Sequence, residues 1–332
     1  MADPFSAAAT MLRFSTDDLR PEDRFDHWCE VRGKGLLGVT IELERERRRD
    51  FAGRFAARQV GGAVMSQMQA SSYRISRTAP DIARMSGDSL CLSLQVRGAG
   101  WLDAGQQPRQ HIGDGDIVIS HSDLPYCGTP QGQGGFDYRM LKIPLNAELL
   151  LGARAEDLCA VRLPRSASVA RPLAALFDAF ARASDLLNPV TDVIHAARLA
   201  LIARGRLPAG APEARAALRA GFFHAAREIM ARDLCRPALS PEGVARRLGI
   251  SVRQVHVLFE PTGLSFMRTL TVMRVRAAAE LLRAKQRMPV ADVAFACGFE
   301  SLSVFYRAFQ NVHGMPPREL RRGDRETTGV RV

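Results

Sequence analysis

Val244-Ala245-Arg246-Arg247-Leu248-Gly249-Ile250-Ser251, continued by residues 252–259 and closed by Phe259, is the first of two matching stretches in the last third of the chain. The second is Val293-Ala294-Phe295-Ala296-Cys297-Gly298-Phe299-Glu300-Ser301, continued by residues 302–309 and closed by Phe309. Each holds a Val-Ala helix, a Gly where the chain must turn, a Ser at the next helix start, and a second helix ending in Phe. Glycine tolerates the left-handed backbone of a tight turn. A serine hydroxyl accepts hydrogen bonds from the free amides of a helix start. Two short helices joined in this way form the helix-turn-helix, whose second helix enters the DNA major groove.

Between the repeats, residues 265–283 read as one helix, with Phe266, Leu270, Met273, Ala277 and Leu281 on one stripe. At the standard rise it is about 28 Å long. Major grooves on one face of DNA recur at about 34 Å, so one chain can present a reading helix to each of two successive grooves. Within the second helices, the angle per residue brings Val255 and Phe259 together, and likewise Phe305 and Phe309, which assigns these four to packing. The remaining positions form the candidate DNA-binding set: Ser251, Arg253, Gln254, His256 and Val257 in the first unit, and Ser301, Leu302, Ser303, Tyr306 and Arg307 in the second. An arginine can pair bidentately with guanine, and a valine can touch a thymine methyl. For each residue singly, a phosphate contact or a packing role stays open, and for Arg307 an internal salt bridge as well.

Charge points the same way. The chain has 332 residues and a formal net charge of +11. Residues 213–332 hold 20 Lys and Arg against 11 Asp and Glu, an excess of nine, whereas residues 1–212 hold 26 against 24. A basic module beside a nearly neutral one implies a polyanion partner for the basic one. The length favours two domains, and 46% hydrophobic with 24% charged residues is ordinary for a globular protein. No apolar run is long enough to span a bilayer, and residues 1–14 lack the basic and apolar regions of a signal peptide. The expected location is therefore the cytoplasm, on the nucleoid when DNA is bound. Six scattered cysteines without a CxxC pair read as buried reduced thiols rather than a zinc or disulfide framework.

The first half has a different texture. Arg20-Pro21-Glu22-Asp23 reads as a helix start, with Phe25, Trp28 and Cys29 on one face. From residue 38 to 144, short strand-like segments such as 39–41, 90–96, 117–119 and 136–143 alternate with glycine turns. This pattern predicts an antiparallel sandwich or small barrel. Residues 168–187 and 190–204 then read as two helices broken at Asn188-Pro189, and Leu207-Pro208-Ala209-Gly210-Ala211-Pro212 reads as a linker. The helical pair either caps the barrel or joins two subunits.

The C-terminal motifs resemble the AraC/XylS family of bacterial transcription regulators over about residues 222–320. They include Ser251-x-Arg253 with Phe259, Gly263-x-x-Phe266, Met273-Arg274-x-x-x-Ala278-x-x-Leu281-Leu282, Val293-Ala294-x-x-x-Gly298-Phe299-x-Ser301, Phe305-x-Arg307-x-Phe309 and Gly314-Met315-Pro316-Pro317. Leu270 and Val257 depart from the aromatic and polar residues common there. Residues 14–19, Arg24-Phe25-x-x-Trp28 and the Gly113-Asp114-Gly115-Asp116-Ile117-Val118-Ile119 segment resemble the family's ligand-sensing domains.

The resemblance implies an α+β protein: a cupin-like antiparallel β-barrel with flanking helices, and an all-α domain with two helix-turn-helix units joined by a long helix. The expected domains are an effector-binding domain over 1–160, a dimerising helical hairpin over 161–206, a linker over 207–212, a DNA-binding domain over 213–322 and a disordered tail over 323–332. The expected partners are double-stranded promoter DNA, a small-molecule effector, a second copy of the chain and RNA polymerase, with no membrane. No catalytic residue, metal or cofactor is expected: His111 and His121 lack the His-x-His and Glu of a cupin metal site, and no Walker, GxGxxG or Ser/His/Asp signature occurs. The pocket's polar groups should come from strands between residues 52 and 96, without assignment to particular side chains. Two other classes stay open, a cupin-like enzyme with an accessory DNA-binding tail and a nucleoid protein without sequence preference.

Overall fold

The computed structural model describes residues 11–321 apart from 106–107, 153–157, 159, 183–185, 187 and 286. The tail expected over 323–332 lies outside the described residues, as does Cys159. The chain forms two compact units, Met1–Gly221 and Phe222–Val332.

The first unit carries the strands β1 (Leu12–Ser15), β2 (Thr40–Glu42), β3 (Gly53–Val60), β4 (Ala63–Ala70), β5 (Arg74–Arg77), β6 (Ser89–Arg97), β7 (Gly100–Asp103), β8 (Gln110–Ile112), β9 (Ile117–His121), β10 (Tyr126–Pro130), β11 (Phe136–Pro144) and β12 (Val161–Leu163). All pair antiparallel, in two sheets ordered β1-β3-β4-β11-β6-β9-β12 and β2-β5-β10-β7-β8. The expected barrel is thus two sheets rather than one closed ring, because among the described residues no ladder joins the strands of one sheet to those of the other. Two helices interrupt the strands, α1 (Arg24–Trp28) between β1 and β2, which widens into a π-helical stretch over Cys29–Leu37, and α2 (Ala79–Arg84) between β5 and β6. After β11 come the short α3 (Ala147–Leu150), then α4 (Ala170–Arg182) and α5 (Pro189–Ala203).

Strand alternation divides the seven-stranded sheet into two faces. Leu90, Leu92 and Leu94 of β6, Ile117 and Ile119 of β9, and Leu141 and Ile143 of β11 share one core with Leu173, Leu176, Phe177 and Phe180 of α4 and Val193, Ala197 and Leu201 of α5. Arg139 of β11 pairs with Asp178 of α4 on that side. The helical pair therefore covers its own sheet, and its apolar faces are already used. Cys91, Ser93 and Gln95, the intervening residues of β6, face the other way.

Helix α6 (Pro212–Arg232) begins at the last residue of the linker expected over 207–212. Ala214 and Ala217 belong to the first unit's core, and at Gly221 an added Cβ would lie 2.5 Å from the Pro172 Cβ of α4. The compact boundary consequently falls at 221/222 rather than within 207–212.

The second unit adds α7 (Pro241–Leu248), α8 (Val252–Phe259), α9 (Phe266–Ala284), α10 (Val290–Ala296) and α11 (Leu302–His313). Its centre is aromatic: Phe259 meets Phe223 at 5.3 Å and Phe266 at 5.4 Å, and Phe305 meets Phe299 at 5.1 Å and Phe309 at 5.5 Å between ring centroids. Helix α9 buries Phe266, Leu270, Arg274, Val275, Ala278, Ala279 and Leu282. The expected stripe is rotated, since Met273, Ala277 and Leu281 are only half-buried. Helix α8 on one side and both α10 and α11 on the other pack against α9, so its buried surface is wider than one stripe.

Candidate nucleic-acid interface and ligand cavity

In the first helix-turn-helix, Gly249 ends α7 in the left-handed region at φ 69°, and Ser251 caps α8. The Gln254 amide donates to Ser251 Oγ at 3.2 Å while the Ser251 amide donates to Gln254 Oε1 at 2.8 Å, a reciprocal capping box. Val255, Leu258 and Phe259 are buried, Val257 is half-buried, and Arg253, Gln254 and His256 are exposed. Gln254 thus spends its side-chain oxygen on the cap, leaving its amide nitrogen for contacts.

The second unit repeats the turn with Gly298 at φ 83°, but its cap differs. Ser301 makes no side-chain capping bond, and its hydroxyl meets Ser303 Oγ at 2.8 Å instead. The expected Ser301 cap is thereby corrected, since an exposed hydroxyl at the adjacent turn competes for it. Phe305 and Phe309 are buried, Leu302 and Tyr306 half-buried, and Ser303, Val304 and Arg307 exposed. Among the described residues neither Arg253 nor Arg307 makes an ion pair, so both guanidinium groups are available to an outside anion. Arg247, by contrast, is engaged by Asp233.

Four of the five described cysteines are buried or half-buried, but Cys235 is exposed, which corrects the uniform reading of buried thiols. His111 meets Gln131 Oε1 at 2.7 Å. His121 meets Asp88 Oδ1 at 3.1 Å through Nε2, and its Nδ1 accepts from the Asp123 amide at 3.1 Å. No described helix is long and apolar enough to cross a membrane.

A cavity of about 220 Å³ lies between the two sheets of the first unit. The seven-stranded sheet lines it with Cys91, Ser93 and Gln95 of β6, Val118 and Ser120 of β9, and Tyr138, Met140 and Lys142 of β11. Ladder register sets these in rows, Lys142–Cys91–Ser120 and Met140–Ser93–Val118. The five-stranded sheet contributes Ile75, Arg77, Trp101 and Tyr126, and Arg32 enters from the π-helical stretch. Tyr138 donates to Ser93 Oγ at 2.6 Å. Burial pushes the Cys91 thiol up to about 11 and the Tyr138 hydroxyl up to about 12, so both are neutral at pH 7. Among the described residues no Asp or Glu lines the cavity.

Between residues 52 and 96 the polar residues lining the cavity are Ser72 and Tyr73, in the connection between β4 and β5, Arg77 of β5, and Ser93 and Gln95 of β6. Sequence reasoning missed Arg32 and Lys142. Arg32 follows Phe25 and Trp28 at helical spacing, so a lone cation on an apolar stripe was the available signal.

The sequence profile of the AraC-like ligand binding domain matches residues 69–190, and that of a helix-turn-helix domain matches residues 244–323. The HTH-type transcriptional activator RhaS of Escherichia coli strain SE11 is 34% identical over 83 residues, 25% of this chain and 30% of RhaS. The HTH-type transcriptional regulator GlxA of Rhizobium meliloti strain 1021 is 34% identical over 120 residues, 35% of this chain and 36% of GlxA. The chain thus spans about a third of the length of these curated relatives. A crystal structure of the AraC-like transcriptional activator CuxR matches with a TM-score of 0.48 at 22% identity, over 86% of this chain and 100% of that one.

Proposed function

The chain belongs to the AraC family of transcription regulators, and from that premise we propose that α8 and α11 read promoter DNA under the control of a small molecule held between the two sheets. The observation that carries the reading is the pair of second helices, each anchored by buried phenylalanines and each presenting an arginine without an ion-pair partner. Arg253 and Arg307 take the DNA, with His256, Val257, Ser303 and Tyr306 beside them. Ser251 and Gln254 orient α8 through their capping box, and Ser301 and Leu302 bring the start of α11 to the groove.

The domain roles follow. Residues 1–160 sense the effector; within the DNA-binding stretch 213–322 the second compact unit, from Phe222 on, takes the DNA, and the signal passes through 207–212 and the first turns of α6. Signalling is a population shift, which requires the effector to bind one arrangement more tightly than the other. The hairpin over 161–206 joins a second copy of the chain through its outer side, where Val190 is 56% exposed, because its inner side is covered by its own sheet. RNA polymerase is the remaining partner, met at the promoter in the cytoplasm.

Binding of the full chain to sites selected from random DNA, against scrambled sites of equal composition, tests the reading. Selected sites should bind on the order of 10³-fold tighter or more, and affinity should fall steeply with salt as phosphate contacts release counterions. Equal affinity for both sets would leave a nucleoid protein without sequence preference. A monomer at all concentrations in sedimentation would remove the dimer from the proposal.

A further inference from the structure

Arg32 is the least explained charge in the first unit. It is 2% exposed, and neither Nε nor Nη1 has a hydrogen-bond partner. Its neighbours are rings: the guanidinium carbon stands 5.9 Å from the Trp28 centroid and 5.8 Å from the Tyr73 centroid. Faces of aromatic rings attract a cation, but they do not satisfy its N–H groups. Burying a charge without hydrogen bonds or a counterion is costly.

A second arginine on the same cavity provides the contrast. Arg77 donates to the backbone oxygens of Ser122, Leu37, Gly38 and Met85 and reaches Asp123 at 3.5 Å. It is fully engaged in holding the loops at that end of the sheets. Lys142 also lines the cavity and makes no hydrogen bond or ion pair among the described residues. Among the described residues the lining therefore presents three cations and no carboxylate, and one of the cations is buried with unused donors.

We propose that this cavity binds a small organic carboxylate on an apolar body, with Arg32 holding the carboxylate. The proposal deepens the reading of the cavity as an effector site and rests on it. The guanidinium supplies what the structure leaves without a partner, since charge-assisted hydrogen bonds to a carboxylate satisfy planar N–H donors. The apolar body matches the other walls, Met68, Tyr73, Ile75, Tyr126, Phe136 and Met140. A doubly charged phosphate monoester demands more donors than the free nitrogens of one guanidinium provide, which favours the single negative charge. Lys142 adds long-range attraction.

The test uses the full chain and matched probes: benzoate with benzamide, phenylacetate with phenylacetamide, hexanoate with hexanamide, and phenyl phosphate. Calorimetry and thermal shift compare wild type with Arg32→Met and Arg32→Lys. At least one carboxylate should bind at least about tenfold tighter than its amide, the factor that one charge-assisted hydrogen bond supplies. Arg32→Met should abolish that preference and Arg32→Lys should keep part of it. Ligand-free Arg32→Met should melt at or above wild type, because an apolar side chain replaces an unpaired buried charge. Amides that bind as well as acids, no binding by any acid, a preference for phenyl phosphate, or an unchanged preference in Arg32→Met would overturn the proposal. A ligand-free Arg32→Met that melts well below wild type would overturn it too, since Arg32 would then be a structural brace. Operator affinity separates this from the broader reading. If an amide binds and alters DNA affinity, the effector site stands and the carboxylate falls. If an acid binds through Arg32 without altering DNA affinity, the site stands and its regulatory role falls.

Discussion

Arg274 of α9 and Arg307 of α11 both belong to the second unit yet meet opposite fates. Arg274 is buried in α9, where it donates from Nε to the Leu234 oxygen at 3.0 Å and from Nη2 to the Arg236 oxygen at 2.7 Å. It ties α9 to the turn that follows α6. Arg274→Ala should cost roughly 2–3 kcal/mol of stability, because two buried carbonyls lose a charged donor. The loss should appear in denaturant unfolding followed by far-ultraviolet circular dichroism, to which α7 to α11 of the second unit contribute. Arg307 is exposed and free of ion pairs, so Arg307→Ala should leave that unfolding curve in place. Its specific DNA binding should weaken by about 1–3 kcal/mol with relaxed choice at one base position. A uniform loss over all sequences would instead make Arg307 a phosphate contact. Asp123 is the corresponding fixed point of the first unit. Burial alone would raise its carboxyl, but the amides of Asp88 and Gly87 and the hydroxyls of Ser86 and Ser122 donate to it and hold it well below the usual carboxylate range.

At the scale of elements, the two turns look alike in sequence but differ in what surrounds them. Gly249 and Gly298 both sit at positive φ, which costs a side-chain-bearing residue about 1–2 kcal/mol. Around Gly249 nothing lies within 4 Å of an added Cβ, whereas at Gly298 that atom would fall 2.7 Å from the Leu234 oxygen. Gly249→Ala should therefore cost only the backbone strain. Gly298→Ala must also displace the turn after α6 and the Arg274 bonds, and should destabilise the unit by at least about 1 kcal/mol more. Equal losses in parallel denaturation curves would refute this packing argument. In the first unit the informative element is β6. Its Leu90, Leu92 and Leu94 build the core under α4 and α5, while Cys91, Ser93 and Gln95 line the cavity. A one-residue slip would exchange the two sets, so the same alternation that seals the core makes the cavity polar.

For the whole molecule, acid should undo the first unit through identifiable carboxylates. Asp116 accepts from Arg162 Nε at 2.6 Å and from the Gly113 and Arg165 amides at 2.9 and 3.1 Å. Burial opposes its ionisation, but these bonds outweigh it and lower its pKa, as happens at Asp123 and Asp81. Each folded value lies below the unfolded one of about 3.9. The stability these groups contribute is thus fully present above that pH and lost as pH falls through it toward the folded values. Both tryptophans, Trp28 and Trp101, belong to the first unit, so tryptophan fluorescence follows it alone. Its denaturant midpoint should hold from pH 7 to about 5 and drop below about 4. Asp123→Asn should cost roughly 1–3 kcal/mol at neutral pH and flatten part of that drop. An unchanged acid profile in the variant would separate Asp123 from the effect.

The sequence by itself determined the second unit almost completely, down to the four core phenylalanine and valine positions and the exposed arginines of α8 and α11. Helical periodicity, capping residues and turn glycines are local signals, and within each helix-turn-helix the partners are close in the chain. The strand texture and the α4–α5 pair were legible for the same reason. Only the tertiary structure decided how the strands divide into two sheets, since ladders such as β1 with β3 or β4 with β11 join residues far apart in sequence. It also rotated the buried face of α9, because that face is set by the helices packed on either side of it. The domain boundary moved to 221/222 through contacts of Ala214, Ala217 and Gly221 that no linker composition announces. Arg32 reads in the chain as one charge on an apolar stripe. That it stands unpaired in a cavity without a carboxylate follows from which strands two sheets turn toward each other, and that is fixed by long-range pairing and burial rather than by its neighbours in the chain.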